Sequence, residues 1–323
     1  MKKPITNMAA SVHARLLKRA KAEGRPFNEL LQYYAMERFL YRLSRSTYAD
    51  RFVLKGALML QFWGGPLSRA TKDIDLLGRP TASVSEMVAI VRACIEVDVE
   101  DDGLLFDPAS VTGEDIRLAA NYDGVRVRCG GTLGNARIAL QIDVGFGDIV
   151  TPREQAIEYP SLLDLIPPRL LGYTPETAIA EKFQALVVLD MANTRMKDFL
   201  DIWVLAQGRE FSGAVLAQAL DATFRRRRTA LPTTTPVALT PPFHSAPAKQ
   251  AQWRAYLRKG CVQGSVPALA EVAAQIDRFL MPAVEALVAG AGFDGQWPPS
   301  GPWNATPASG TEDKGAKVGV DDA

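Results

Sequence analysis

The chain has 323 residues, 47% of them hydrophobic, enough to bury a sizeable core and to divide into two lobes. Lysine and arginine total 37 against 36 aspartates and glutamates, a formal charge of +1, so any polynucleotide partner is held by a local patch and not by the field of the whole protein. Cys94, Cys129 and Cys261 are odd in number and lack CxxC spacing, which argues against a disulfide framework or a zinc site and fits a reducing cytoplasm.

Residues 8 to 48 place Leu16, Leu17, Leu30, Leu31, Tyr34, Phe39, Leu40 and Leu43 at helical spacings, broken at Glu23-Gly24-Arg25-Pro26. Two helices are therefore expected ahead of the core. Gly56-Ala57 opens a short apolar segment ending at Gly64-Gly65-Pro66, which reads as a two-turn helix with a glycine stop. The string Leu67-Ser-Arg69-Ala-Thr-Lys-Asp73-Ile74-Asp75-Leu76-Leu77 follows. Read as a strand, it puts Asp73 and Asp75 on one face, with α-carbons about 6.5 Å apart, and turns Ile74 and Leu76 to the other. Two neighbouring anions repel and raise one another's pKa, so the pair calls for a cation. A hard divalent ion with oxygen ligands, above all Mg²⁺ carrying a nucleotide's phosphates, is the usual solution.

From Ser83 to Val97, Val84, Met87, Val88, Val91 and Ile95 form one helical stripe. Between 124 and 148 the period changes to two: Val125 and Val127 alternate with Arg126 and Arg128, and Ile138, Leu140 and Ile142 with Ala139, Gln141 and Asp143. A linker running from Gly130 to Asn135 is expected to join these as a hairpin, with Asp143 on a polar face where it can meet the first two carboxylates. From Thr177 the pattern is helical again, residues 229 to 249 read as a long Pro/Thr-rich loop, and 262 to 289 return to helix. Beyond about residue 291 the tail has little to bury and is expected to be disordered.

In order and spacing, Gly56-Ala57, Arg69, Asp73-x-Asp75, Asp143, Glu181-Lys182 and Arg195-x-x-Asp198 resemble the four motifs of the AbiEii/AbiGii-type toxins. These are nucleotidyltransferases of the DNA polymerase β superfold, found in type IV toxin–antitoxin and phage-defence operons. The resemblance covers about residues 10 to 210. It implies an α+β fold: a polymerase β-like nucleotidyltransferase lobe with a mixed sheet flanked by helices, plus a helical C-terminal lobe. The expected division is 1–50 for the N-terminal helices packing on the core, 51–160 for the nucleotidyltransferase core, 161–290 for the helical lobe and 291–323 for the tail. The resemblance also implies transfer of a nucleoside monophosphate from an NTP to an acceptor, the 3′ end of tRNA in some relatives, and an antitoxin encoded nearby.

Elementary chemistry supplies roles for the same residues. Asp73 and Asp75 would hold Mg²⁺ against the triphosphate, and Asp143 would complete the site as metal ligand or base, with room for a second ion about 3.5 to 4 Å away. Gly56 would let backbone N–H groups at the following helix start approach phosphate. Ala57 departs from the Gly-Gly or Gly-Ser usual in the family, keeping the backbone donor without a hydroxyl. Lys182 and Arg69 would meet the charge on the β- and γ-phosphates. Arg195 and Asp198 stand three apart at a helix start, so either they pair or Asp198 orients Lys182.

Other patterns carry less. Arg225 to Arg228 read as a solvated helix end, and Gly130, Gly131 and Gly134 lie between strands and make no dinucleotide loop. His13 and His244 stand alone, which removes a Ser-His-Asp hydrolase and a histidine-ligated metal centre. No stretch approaches the roughly 18 apolar residues that span a bilayer, so neither export nor membrane insertion is expected and the cytoplasm is the expected location. Three functions stay open: a nucleotidyltransferase toxin acting on RNA, one acting on a small molecule or a protein side chain, and a non-catalytic nucleotide-binding scaffold.

Overall fold

The computed structural model describes residues 7–64, 71–119, 122–259 and 266–304. Two helices lead, α1 (Met8–Glu23) and α2 (Phe27–Arg45), separated where Gly24 takes the left-handed conformation (φ 63°) that ends a helix. Asn7 caps α1 by accepting from the Ala10 N–H at 2.9 Å. Strand β1 (Phe52–Lys55) and helix α3 (Ala57–Phe62) follow, then β2 (Asp73–Gly78) and α4 (Val84–Ile95), the latter capped by Ser83. A three-strand meander comes next: β3 (Leu104–Ala119), β4 (Tyr122–Leu133) and β5 (Ala136–Phe146). Two short strands, β6 (Gln155–Glu158) and β7 (Arg169–Gly172), complete a seven-stranded sheet in the order β3-β4-β5-β2-β1-β7-β6. The sheet is mixed. β2 runs parallel to β5 and β1 parallel to β7, and the other neighbours are antiparallel.

The first core lies between this sheet and α2 and α4, with Leu30, Tyr34, Phe39, Leu54, Ile74, Ile142 and Val144 almost wholly buried. Burial of each such side chain contributes about 1.5–3 kcal/mol relative to exposure. A helical lobe follows: α5 (Pro175–Leu189), α6 (Met196–Gly208), the short strand β8 (Phe211–Ser212), α7 (Gly213–Arg226), the single turn α8 (Pro241–His244), α9 (Pro247–Lys259) and α10 (Leu269–Val288). Its core gathers Phe183, Phe199, Leu220, Phe243, Ile276 and Phe279, and α3 ties the two cores together: Leu58 and Met59 belong to the first and Leu60 to the second.

Four expectations differ from what is found. The sheet runs past residue 160, because β7 pairs with β1 and the helical lobe begins at Pro175. Strands of four residues flanked by Pro160, Pro167 and Pro168 are too short to show a period of two. In the hairpin only Gly134 and Asn135 form the turn. Gly130 and Gly131 sit inside β4, where a Cβ on Gly131 would come within 2.9 Å of the Leu105 carbonyl. The span 229–249 is not a loop throughout, since Pro241 and Pro247 stand in the first turns of α8 and α9, where a missing N–H costs nothing. Finally, residues 291–304 are ordered. Strand β9 (Gln296–Trp297) pairs with β8, and the buried Trp297 donates its indole N–H to the Ala206 carbonyl at 2.8 Å while packing on Phe279 and Trp303. Residues 305–323 lie outside the described residues. Three aromatics spaced along a Gly/Pro-rich tail left no periodic signal. Replacing Trp297 by Ala is expected to cost about 3–5 kcal/mol in urea unfolding, and a loss below about 1 kcal/mol would show that this segment does not pack.

Candidate active site

β2 places Asp73 and Asp75 half-buried on one face and sends Ile74 and Leu76 into the first core. Its neighbours finish the arrangement. In the parallel pair with β5, Asp75 stands beside Asp143, and in the antiparallel pair with β1 it stands opposite Lys55. Carboxylate oxygens of Asp73, Asp75 and Asp143 lie within 4.8 Å of one another. Thr71 Oγ1 donates to Asp73 Oδ1 at 2.6 Å. Arg126, opposite Asp143 in β4, donates from Nε and Nη2 to both Asp143 oxygens at 2.8 and 2.7 Å, and Gln141 adds a longer bond at 3.3 Å.

Burial, and then the neighbouring Asp73, push the Asp75 carboxyl up to about 6, against the pull of Lys55 and Lys197. Three carboxylates form an all-oxygen, hard donor set, which fits a divalent cation. Asp143 keeps unused lone pairs beyond those that Arg126 engages.

Gly56 has a reason beyond any ligand. Its φ is 72°, and a Cβ built there would lie 2.7 Å from the Asp75 carboxyl carbon. Only glycine allows β1 to turn into α3 at that distance from the carboxylate. Ala57 is buried at the start of α3.

The remaining sequence-derived candidates form a second group on α5 and α6. Lys182 Nζ donates to Asp201 at 2.7 Å and to Asp198 at 3.3 Å, and Arg195 Nε lies 2.6 Å from the other Asp198 oxygen. Asp198 thus pairs with both cations at once. Lys197, on the same first turn of α6, is one of the charges that act on Asp75, so the two groups are electrostatic neighbours. Arg69 lies outside the described residues.

Several participants escaped the sequence reading. Lys55 Nζ donates to Asp148 at 3.1 Å and to Glu181 at 3.4 Å, and Arg227 Nη2 lies 3.2 Å from both of those carboxylates. Arg227 is therefore not part of a solvated helix end. Its partners lie in segments 43 or more residues away and carry no periodic mark. Arg126 was detectable: counting outward in equal steps from the two-residue turn at Gly134-Asn135 brings it opposite Asp143.

Residues 38–275 match the family model described as the AbiEii nucleotidyl transferase toxin, Type IV TA system, which is well over half of the chain. The chain belongs to the AbiEii family. It is a nucleotidyltransferase, and the matched span contains every member of the acidic triad together with Lys182, Arg195 and Asp198. Two solved structures from Helicobacter pylori each cover 81% of this chain and 97% of their own: a candidate nucleotidyltransferase, 14% identical with a TM-score of 0.46, and JHP933, 16% identical with a TM-score of 0.42. At those identities and scores neither adds to the assignment. No curated protein matches. Among the described residues of this AbiEii chain, no helix is long and apolar enough to cross a membrane.

Two measurements check the geometry. Gly56→Ala is expected to lose about 1–3 kcal/mol of stability and to displace Asp75, so that added divalent cation no longer raises the melting temperature. Asp75→Asn acts in the opposite direction in metal-free buffer. Because the folded state holds the Asp75 proton up to about pH 6 while an unfolded aspartate releases it near 3.8, ionisation of this group erodes stability as pH rises through that window. The variant is expected to melt with the wild type below about pH 4 and above it at pH 7. A lower melting temperature at pH 7 would mark Asp75 as a structural residue.

Proposed function

We propose that this chain is a Mg²⁺-dependent nucleotidyltransferase toxin that transfers a nucleoside monophosphate from an NTP to an RNA acceptor, the 3′ end of tRNA, and so blocks translation. The observation that carries the reading is the convergence of Asp73, Asp75 and Asp143 from two strands within one family-matched span. In this reading the three carboxylates are the Mg²⁺ ligands. When bound, the ion supplies charge stabilisation for the triphosphate and eases deprotonation of the attacking hydroxyl.

The chain's own residues do the rest. Arg126, gripping both oxygens of Asp143, fixes that carboxylate toward the other two and leaves it able to take the acceptor's proton. The acceptor oxygen forms a bond to the α-phosphorus, the bond from that phosphorus to the bridging oxygen breaks, and pyrophosphate departs with the electron pair. Lys182 supplies positive charge toward the β- and γ-phosphates, held in its orientation by Asp198 and Asp201. Arg69 and Arg195 are assigned to the nucleotide, and Gly56 and Ala57 to the backbone beside it. An antitoxin encoded nearby restrains the activity in the cytoplasm, and the setting is defence against phage.

Incubation of the purified chain with each labelled NTP, Mg²⁺ and total tRNA, followed by separation by size, tests this. Label is expected on tRNA with wild type. A loss of about a hundredfold or more is expected with Asp75→Asn and with Lys182→Ala. Label on a small molecule or a protein from cell extract would change the acceptor. NTP binding without transfer, with wild type and Asp75→Asn equally toxic, would leave a scaffold in place of an enzyme.

A further inference from the structure

Lys55, Asp148, Glu181 and Arg227 form a square of two cations and two carboxylates, drawn from β1, the segment after β5, α5 and the residue that follows α7. Each side chain is mostly buried, from 3% exposed for Asp148 to 17% for Arg227. The square spans both lobes. Arg227 closes it from the helical side with Nε and Nη2 on Asp148 and Nη1 on Gln184 at 3.0 Å, and Tyr173 donates to the second Glu181 oxygen at 2.9 Å. The ammonium of Lys55 also lies 5.2 Å from the centre of the Tyr173 ring.

What makes this more than a weld is where Lys55 sits. It is the cross-strand neighbour of Asp75, so its side chain leaves the same face of the sheet as the acidic triad. It also precedes Gly56, whose backbone touches the Asp75 carboxylate. Whatever sets the charge around Lys55 therefore sets the field at the triad. Arg227 sets one positive charge against the two carboxylates that grip Lys55. Without it the net charge of this cluster falls by one, beside three further carboxylates. Glu181 links the square to the second group directly, since Lys182 is the next residue on α5.

We propose that Arg227 is a positioning residue for the transfer reaction: by neutralising Asp148 and Glu181 from the helical lobe, it leaves Lys55 as an effective counter-charge to Asp75 and fixes α5, with Lys182, against β1. This rests on the transferase reading above and adds a residue to it from outside the motifs.

The test compares wild type, Arg227→Gln, Arg227→Lys and the double variant Asp148→Asn with Arg227→Gln. Each is checked for folding by circular dichroism and assayed for kcat, KM for NTP and the Mg²⁺ concentration at half-maximal NTP-dependent thermal stabilisation. Arg227→Gln is expected to lower kcat about tenfold or more and to shift the Mg²⁺ midpoint about threefold, with KM for NTP little changed. Arg227→Lys, and the double variant that restores the net charge, are each expected to recover most of the loss. A square that only holds the lobes together predicts the reverse for the double variant, which has lost still more of its pairs. Wild-type kcat and Mg²⁺ midpoint in Arg227→Gln, or a double variant no better than Arg227→Gln, would overturn the proposal. If wild type transfers nothing, the thermal midpoint alone decides. A midpoint shifted by Arg227→Gln and repaired by Asp148→Asn upholds the placement of Arg227 while the transferase reading falls, and an unshifted midpoint ends both.

Discussion

Repulsion among three carboxylates is the constraint that the surrounding structure answers. At a separation of 4.8 Å, two full negative charges in a medium of effective dielectric about 20 repel by roughly 3 kcal/mol. Asp75 feels that load on top of its burial, and the two together are why its carboxyl resists ionisation. The fold meets the load with cations placed by strand register: Arg126 opposite Asp143 on one side, Lys55 opposite Asp75 on the other. Neither cation cancels the charge. Arg126 spends its two bonds orienting Asp143, and Lys55 is shared with Asp148 and Glu181. The strip remains anionic, an all-oxygen donor set of the kind a divalent cation takes.

The placement of these charges depends on the sheet being mixed. A parallel neighbour on one side of β2 and an antiparallel one on the other bring side chains from residues 55, 75 and 143 into one row although they are far apart in the chain. The close approach of Gly56 to Asp75 belongs to the same arrangement, because a turn directly after β1 must pass under the carboxylate. The helical lobe then approaches from above. Glu181 and Lys182, consecutive on α5, face different partners: the first reaches back to the sheet through Lys55, the second forward to α6 through Asp198 and Asp201. One helix thereby carries the geometry of the sheet into the second charged group.

Much of this was legible in the chain. The alternation around Asp73 and Asp75 and around Asp143 is the direct signature of half-buried strands, and the break at Gly24 follows from local backbone chemistry. The AbiEii family was readable from the order and spacing of the motifs, all of which fall within the matched span 38–275. Less legible were elements whose meaning lies in their neighbours. Strands β6 and β7 are too short to show a period, and prolines that suggest a loop at 241 and 247 stand in helix first turns. A Gly/Pro-rich tail is ordered only because Trp297 finds a pocket against Phe279 and the Ala206 carbonyl.

The sequence by itself determined which residues alternate, that the leading helices break at Gly24, and that two acids share one face of a strand, since each of these depends on backbone geometry over a few residues. Only the tertiary structure decided which charges meet. Arg227, one of four consecutive arginines, is distinguished from the other three by what lies around it, and Lys55 by the strand it faces. The energy of a charge is set by desolvation and by partners within a few ångströms, and chain folding alone brings residues 55, 148, 181 and 227 within that range.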